Sequence, residues 1–131
     1  VLSYKLDYYN NDISKRRHLA SIYNSELESI EALILPPGPE DDQDFFDIYQ
    51  NYEIEADNRD DLRSSLLESG IKTILQWGGK TLHQFSDLGL TGDVNNTDSM
   101  SSKFLLLPLH TALTDDDVKY VCENICSFYA T

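Results

Sequence analysis

Apolar positions along this chain fall into a long helical stripe, a stretch of alternation, short apolar runs and a second helical stripe at the end. Arg16, Ala20, Tyr23, Leu27 and Ile30 recur at four-three-four-three spacing, and Leu19, Ile22 and Leu33 widen the face. That period predicts a helix over residues 12–33, capped by Asp12. Pro36-Pro37-Gly38-Pro39 cannot continue it, and the acidic stretch to Asp44 reads as a surface loop. Residues 45–56 then alternate. Phe46, Ile48, Tyr52 and Ile54 point one way, with Gln50 the exception; Asp47, Asn51, Glu53 and Glu55 point the other way, beside Phe45 and Tyr49. This predicts a half-buried strand.

Asn58 or Asp60 opens a second predicted helix with Leu62, Leu66 and Leu67 facing inward, and Gly70 stands where a left-handed residue would end it. Lys72 to Trp77 reads as a second strand, broken by Gly78-Gly79. Residues 82–88 read as a helical turn and residues 89–102 as a loop. Phe104 to Leu107, apolar on both faces, reads as a third strand in the middle of a covered sheet. Thr114 is the predicted N-cap of a final helix. Asp115, Asp116 and Asp117 occupy its first turn, where the helix dipole favours negative charge, and Val118, Val121, Cys122, Ile125, Phe128 and Tyr129 form its apolar face. The order α-β-α-β-β-α predicts an α+β fold, a two-layer sandwich in which helices pack on a small three-stranded sheet. Residues 1–11 precede it as an N-terminal extension, and residues 12–131 form one domain. A helix of ~20 residues spans ~30 Å, so part of the first stripe is expected to face something outside this domain.

Size and charge narrow the function. With 131 residues, 40% of them hydrophobic, the chain can hold its own core without a disulfide or a metal. A net charge of -13 argues against nucleic acid and anionic membrane surfaces as partners, because the basic cluster is confined to Lys15-Arg16-Arg17. No apolar stretch approaches the ~20 residues that span a bilayer, and none resembles a signal peptide. Cys122 and Cys126, four apart, read as reduced thiols packing as small hydrophobes; a metal site completed by His110 or His83 would lack a second close ligand pair. Free thiols and no export signal point to the cytoplasm. The chain opens on Val1 rather than methionine, and we read it as a piece of a longer one.

The chain has no G-x-S-x-G, Walker loop, G-x-G-x-x-G or H-E-x-x-H motif, and no base–nucleophile pair follows from spacing. One segment is dense in donors: Gln76-Trp77-Gly78-Gly79-Lys80-Thr81-Leu82-His83-Gln84. Two glycines at a strand end let backbone approach a ligand, and an amide, an indole, an amine and an imidazole follow. The plainer reading is a tight turn anchored by a half-buried Trp77.

Taken in order, five segments resemble the C-terminal domain of the DegT/StrS family of nucleotide-sugar aminotransferases. Lys15-Arg16-Arg17 through Tyr23-Asn24 is similar to the basic start of that family's long helix, and Leu35-Pro36-Pro37 to the proline turn after it. Ile48-Tyr49 through Arg59-Asp60-Asp61-Leu62 resembles its strand and helix start, and Glu68-Ser69-Gly70-Ile71 its helix exit. Leu107-Pro108-Leu109 with Leu113 to Val121 resembles its closing strand and helix. Where many members carry His-Tyr-Pro, this chain has Gln76-Trp77, and Leu82-His83 matches their later Leu-His with one extra residue between.

The resemblance implies that Gln76, Trp77 and His83 wall a substrate site, Trp77 stacking on a sugar or base face and His83 donating to a hydroxyl or phosphate. It implies pyridoxal phosphate in the intact parent. The Schiff-base lysine, the acidic partner of the pyridine nitrogen and most phosphate ligands would lie in a missing N-terminal domain, since neither Lys72 nor Lys80 stands in a matching context. No catalytic residue and no bound cofactor are then expected on this fragment, which alone should be inactive. The parent, commonly a homodimer in this family, would transfer an amino group from glutamate to a keto-sugar nucleotide, in cell-surface polysaccharide or related sugar biosynthesis. Two other readings compete. One is a free-standing acidic interaction or regulatory module docking through the exposed side of the first helix. The other is a stand-alone sugar-nucleotide binder using the 77–83 loop.

Overall fold

The structure, a computed structural model, describes residues 2–39, 46–90 and 92–130. Helix α1 (Leu2–Leu6) leads into α2 (Tyr9–Leu27); strands β1 (Leu33–Ile34) and β2 (Tyr52–Ala56) follow, then α3 (Arg59–Glu68). A long excursion of short turns ends in α4 (Asn95–Ser101), and β3 (Phe104–Leu107) and α5 (Asp115–Tyr129) close the chain. The fold class is the expected one, an α+β unit in which helices cover a three-stranded sheet. The sheet is antiparallel throughout, in the order β1-β2-β3.

The expected order α-β-α-β-β-α is corrected at two places. The extra strand lies before α3, not after it. The first helix ends at Leu27, and Leu33–Ile34, expected within its stripe, instead pairs with Ala56–Glu55. The expected strand over 72–77 reduces to a single bridge, Ile74 with Leu106, because Trp77, Gly78 and Gly79 all adopt positive φ and turn the chain away. That bridge lies on the far side of β3 from β2, so β3 is flanked on both sides even though β2 is the sheet's centre. The long helix begins at Tyr9, which places Asp12 in the first turn rather than at the cap. Residues 95–101, expected as loop, form α4.

The strand expected over 45–56 is shorter, and Phe45 lies outside the described residues. Tyr49 takes φ +50, which slips the alternation by one. Tyr49 and Tyr52, three apart, therefore both enter the core, while Phe46 is exposed under the Arg17 guanidinium, 4.2 Å from its ring centre. In β2, Tyr52, Ile54 and Ala56 face the core and Glu53 and Glu55 the other side. Leu105 and Leu107 of β3 join them against Leu19, Tyr23 and Leu27 of α2, Leu62 and Leu66 of α3, and Val118, Val121, Cys122 and Ile125 of α5. Leu67, expected inward, is exposed. Burial pushes the Cys122 thiol up to about 12, so it packs as an uncharged hydrophobe. Gly70, at φ +77, ends α3 in the left-handed conformation its position requires.

The basic cluster is spent on holding the fold together. The Arg16 guanidinium donates to the carbonyls of Tyr49, Gln50 and Leu109, at 3.0 to 3.5 Å. Arg17 donates to those of Asp47 and Pro39. Lys15 and His18 both reach the Asp115 carboxylate, at 3.2 and 2.8 Å. The start of α2 is thereby pinned to the start of α5 and to the β2 approach. The N-terminal aromatics are not enclosed: Tyr4 and Tyr8 pair at 5.2 Å, and both are exposed with Leu6 and Tyr9.

Helix α5 begins in a reciprocal cap. The Asp117 amide donates to Thr114 Oγ1, while the Thr114 amide and hydroxyl donate to the Asp117 carboxylate at 2.8 and 2.7 Å. The Thr114 hydroxyl and amide hold the Asp117 carboxyl below its ordinary range, and hydrogen bonds from His18 and then Lys15 do the same for Asp115. Carboxyls depressed in the folded state contribute stability above their unfolded pKa and lose it as pH falls through the folded one. Thr114→Ala is expected to lower stability by about 1 kcal/mol near neutral pH. Asp117→Asn is expected to flatten the acid limb of the unfolding profile, followed by circular dichroism between pH 2 and 7 on the order of one unit per step. An unchanged limb would rule out the cap as a contributor to acid sensitivity.

Candidate functional site

The excursion between α3 and β3 folds back over the outer face of the sheet, the face opposite the core. It contains three one-turn 3₁₀ segments, Gln76–Gly79, Leu82–Gln84 and Ser86–Leu88, and then α4. Between these turns and the sheet runs a groove of about 910 Å³. Its lining is mostly apolar: Trp77, Leu82, Phe85 and Leu88 from the turns, and Phe104 from β3. Glu53 of β2 and the polar side chains of Gln76, Lys80 and Thr97 also line it. The volume lies within the range of small-molecule sites.

Trp77 is the most unusual residue here. It adopts φ +52, the left-handed region that bulky residues avoid, and 80% of it is exposed. It is therefore not the half-buried anchor of a tight turn. Holding a bulky residue there costs about 1–3 kcal/mol, and strain of this kind concentrates at ligand sites. Gly79, two residues on, takes φ +75. A Cβ there would come within 3.4 Å of the Leu75 side chain and 3.8 Å of the Arg59 guanidinium.

Of the three residues singled out in the sequence, the structure brings Gln76 and Trp77 together on the groove and places His83 differently. The His83 ring lies 3.0 Å from Thr81 Oγ1 through Nδ1 and 2.8 Å from the Asp98 carboxylate through Nε2. Gln84 donates to the same Asp98 oxygen at 3.3 Å and accepts from the Thr81 amide. Both ring nitrogens are thus engaged, and His83 fastens the 81–84 turn to α4. Asp98 was hidden in the sequence because Asn95–Ser101 carries no apolar period that would mark a helix.

Arg59 supports the site from below. Its side chain is 9% exposed, and Nη1 donates to the carbonyls of Ser101 and Phe104, tying the end of α4 to the start of β3. Its Nε lies 2.8 Å from the Asp60 carboxylate, without hydrogen-bond alignment. Glu53 has no hydrogen-bond or ionic partner among the described residues, and burial raises its carboxyl above the usual range. The sequence marked Glu53 only as one of the polar positions on the sheet's other face.

Lys72 is exposed and off the groove, and Lys80 holds its ammonium over the Phe85 ring at 5.8 Å. No arginine lines the groove to hold a phosphate. Among the described residues no three His, Cys, Asp or Glu side chains gather as a metal would need, and no helix is long and apolar enough to cross a membrane.

Known proteins match this chain along nearly its whole length. A protein described as a pleiotropic regulatory protein from Geobacillus stearothermophilus is 29% identical over 98% of the chain and 35% of its own length. A dTDP-4-dehydro-2,3,6-trideoxy-D-glucose 4-aminotransferase from Saccharopolyspora spinosa is 26% identical over 86% of the chain and 29% of its own length. The crystal structure of the aminotransferase TlmJ from Streptoalloteichus hindustanus superposes with a TM-score of 0.88 at 27% identity, over 98% of the chain and 34% of that structure. The chain thus spans about a third of the length of these relatives. The family model described as the DegT/DnrJ/EryC1/StrS aminotransferase family matches residues 1–126, and the chain belongs to that family.

Proposed function

We propose that this chain is the small, C-terminal domain of a cytoplasmic nucleotide-sugar aminotransferase and supplies one wall of its substrate site. The observation that carries the reading is coverage: almost all of the chain matches, against about a third of each relative. The intact protein, with an N-terminal domain that carries pyridoxal phosphate, would move an amino group from glutamate to a keto-sugar nucleotide, as a homodimer, for cell-surface polysaccharide or related sugar biosynthesis. The cofactor, when bound there, supplies the electron sink for amino transfer. This chain's own contribution is positional. Gln76 and the exposed Trp77 present an amide and an indole face to the sugar or base. His83 holds the wall in place through Asp98, an indirect role in substrate binding.

The experiment uses the full encoding frame. Expressed and supplied with pyridoxal phosphate, glutamate and a nucleotide-linked keto-sugar, it is expected to release 2-oxoglutarate and an amino sugar, and the 131-residue chain alone is expected to release none. Turnover by the chain alone, or a frame without any further domain, overturns the reading. The regulatory description of the Geobacillus relative favours a second reading, in which the exposed Tyr4, Leu6, Tyr8 and Tyr9 form a docking face for a partner protein. Affinity purification that recovers no stoichiometric partner would count against it.

A further inference from the structure

Among the charged groups that line the groove, Glu53 is the half-buried one. Glu53 stands opposite Leu106 in the β2–β3 ladder, on the outer sheet face, half-buried under the excursion. A carboxylate that loses water without gaining a partner is unfavourable, and its natural complement is a cation or a set of donors. Three charged side chains line the groove, Glu53, Asp87 and Lys80, so its balance is negative by one. The Lys80 ammonium is turned onto the Phe85 ring rather than onto either carboxylate. A phosphate is therefore a poor occupant of this groove, all the more in a chain of net charge -13.

The remaining groups point to a ring with polar edges. Trp77 offers an exposed aromatic face, on which the C–H face of a carbohydrate ring can lie. Gln76 and Thr97 line the groove with an amide and a hydroxyl that have no partner among the described residues, suited to ring hydroxyls. A plain hydrophobic cation would use the aromatic wall and leave these groups idle. We infer that Glu53 and Trp77 form the core of a subsite for a carbohydrate ring bearing an ammonium group, with Glu53 accepting from the amine and Trp77 stacking on the ring. This deepens the sugar-facing role proposed for the groove and rests on it, but requires no catalysis. It assigns the nucleotide's phosphates to a place outside the groove.

Trp77 is the chain's single tryptophan, so its emission reports the groove directly. The 131-residue chain is titrated near neutral pH with glucosamine, N-acetylglucosamine, glucose and inorganic phosphate. Glucosamine is expected to bind about tenfold more tightly than N-acetylglucosamine or glucose, and phosphate to leave the emission unchanged. Glu53→Gln, which keeps the side chain's shape, is expected to abolish the preference for the amine, so that glucosamine binds no more tightly than glucose to the same variant, with the far-ultraviolet spectrum unaltered. Equal affinities for the three sugars, a preference that survives Glu53→Gln, tighter binding of phosphate, or no response to any sugar each overturn the inference. None of these outcomes decides whether the intact protein is an aminotransferase, which the turnover experiment settles separately.

Discussion

Replacing Tyr52 by alanine is expected to destabilise the domain by about 4 kcal/mol, the upper range for removing a buried aromatic ring. Tyr52 lies at the start of the central strand with no exposed surface. Its ring stacks on Tyr23 at 4.7 Å and lies 6.3 Å from Tyr49. The three hydroxyls each end on a different part of the chain: Tyr23 donates to the Pro108 carbonyl, Tyr52 to Asn24 Oδ1, and Tyr49 to the Pro37 carbonyl. Asn24 in turn donates to the Pro36 carbonyl. Burial raises the Tyr23 and Tyr52 phenols far above their ordinary range, so both stay neutral donors. The ring therefore fills volume, and its hydroxyl ties β2 to α2 at Asn24, whose amide in turn holds the proline turn. Tyr52→Phe keeps the volume and is expected to cost about 1 kcal/mol. Urea unfolding of the two variants separates these contributions. For a domain of ordinary stability the alanine variant loses a large part of the total. Similar midpoints for both variants would mean that the aromatic cluster does not organise the core.

Arg59→Ala is expected to cost about 3 kcal/mol, through a different mechanism. The alanine leaves the Ser101 and Phe104 carbonyls without their donor and opens a space beneath Gly79. The loss should be local as well as global, because those carbonyls join α4 to β3 along one side of the groove. Hydrogen exchange is expected to quicken across residues 95–104 well before it does in α5, and Trp77 emission to shift. Asp60→Ala is the control. Asp60 is exposed, so its ion pair with Arg59 is screened, and its loss should cost under about 1 kcal/mol. Uniform quickening throughout the domain would place Arg59 in the general core rather than under the groove.

These two sites also separate what was legible in the sequence from what was not. Tyr52 was readable as a core position, because alternation within β2 is a local property. Tyr49 was assigned to the wrong face, since a single left-handed residue reverses the phase and alternation contains no sign of it. Gln76 and Trp77 were readable as a donor-rich turn, and the groove does contain them. The role of His83 was not, because its partner Asp98 lies fifteen positions further along in a segment of polar residues with no period. Glu53 looked like any solvated residue on a half-buried strand until the excursion was seen to lie over it.

The primary structure alone determined α5 and the body of α2. A 3.6-residue apolar period, a threonine cap and three aspartates in the first turn all act between residues within one or two turns of each other. It likewise determined the stop at Gly70, where backbone sterics decide. Only the tertiary structure decided that Leu33–Ile34 would leave the helix for the sheet, that residues 72–77 would keep a single bridge, and that the excursion would roof the outer sheet face into a groove. Those outcomes depend on hydrogen bonds and contacts between segments twenty or more residues apart, and such pairings leave no periodic trace in either segment.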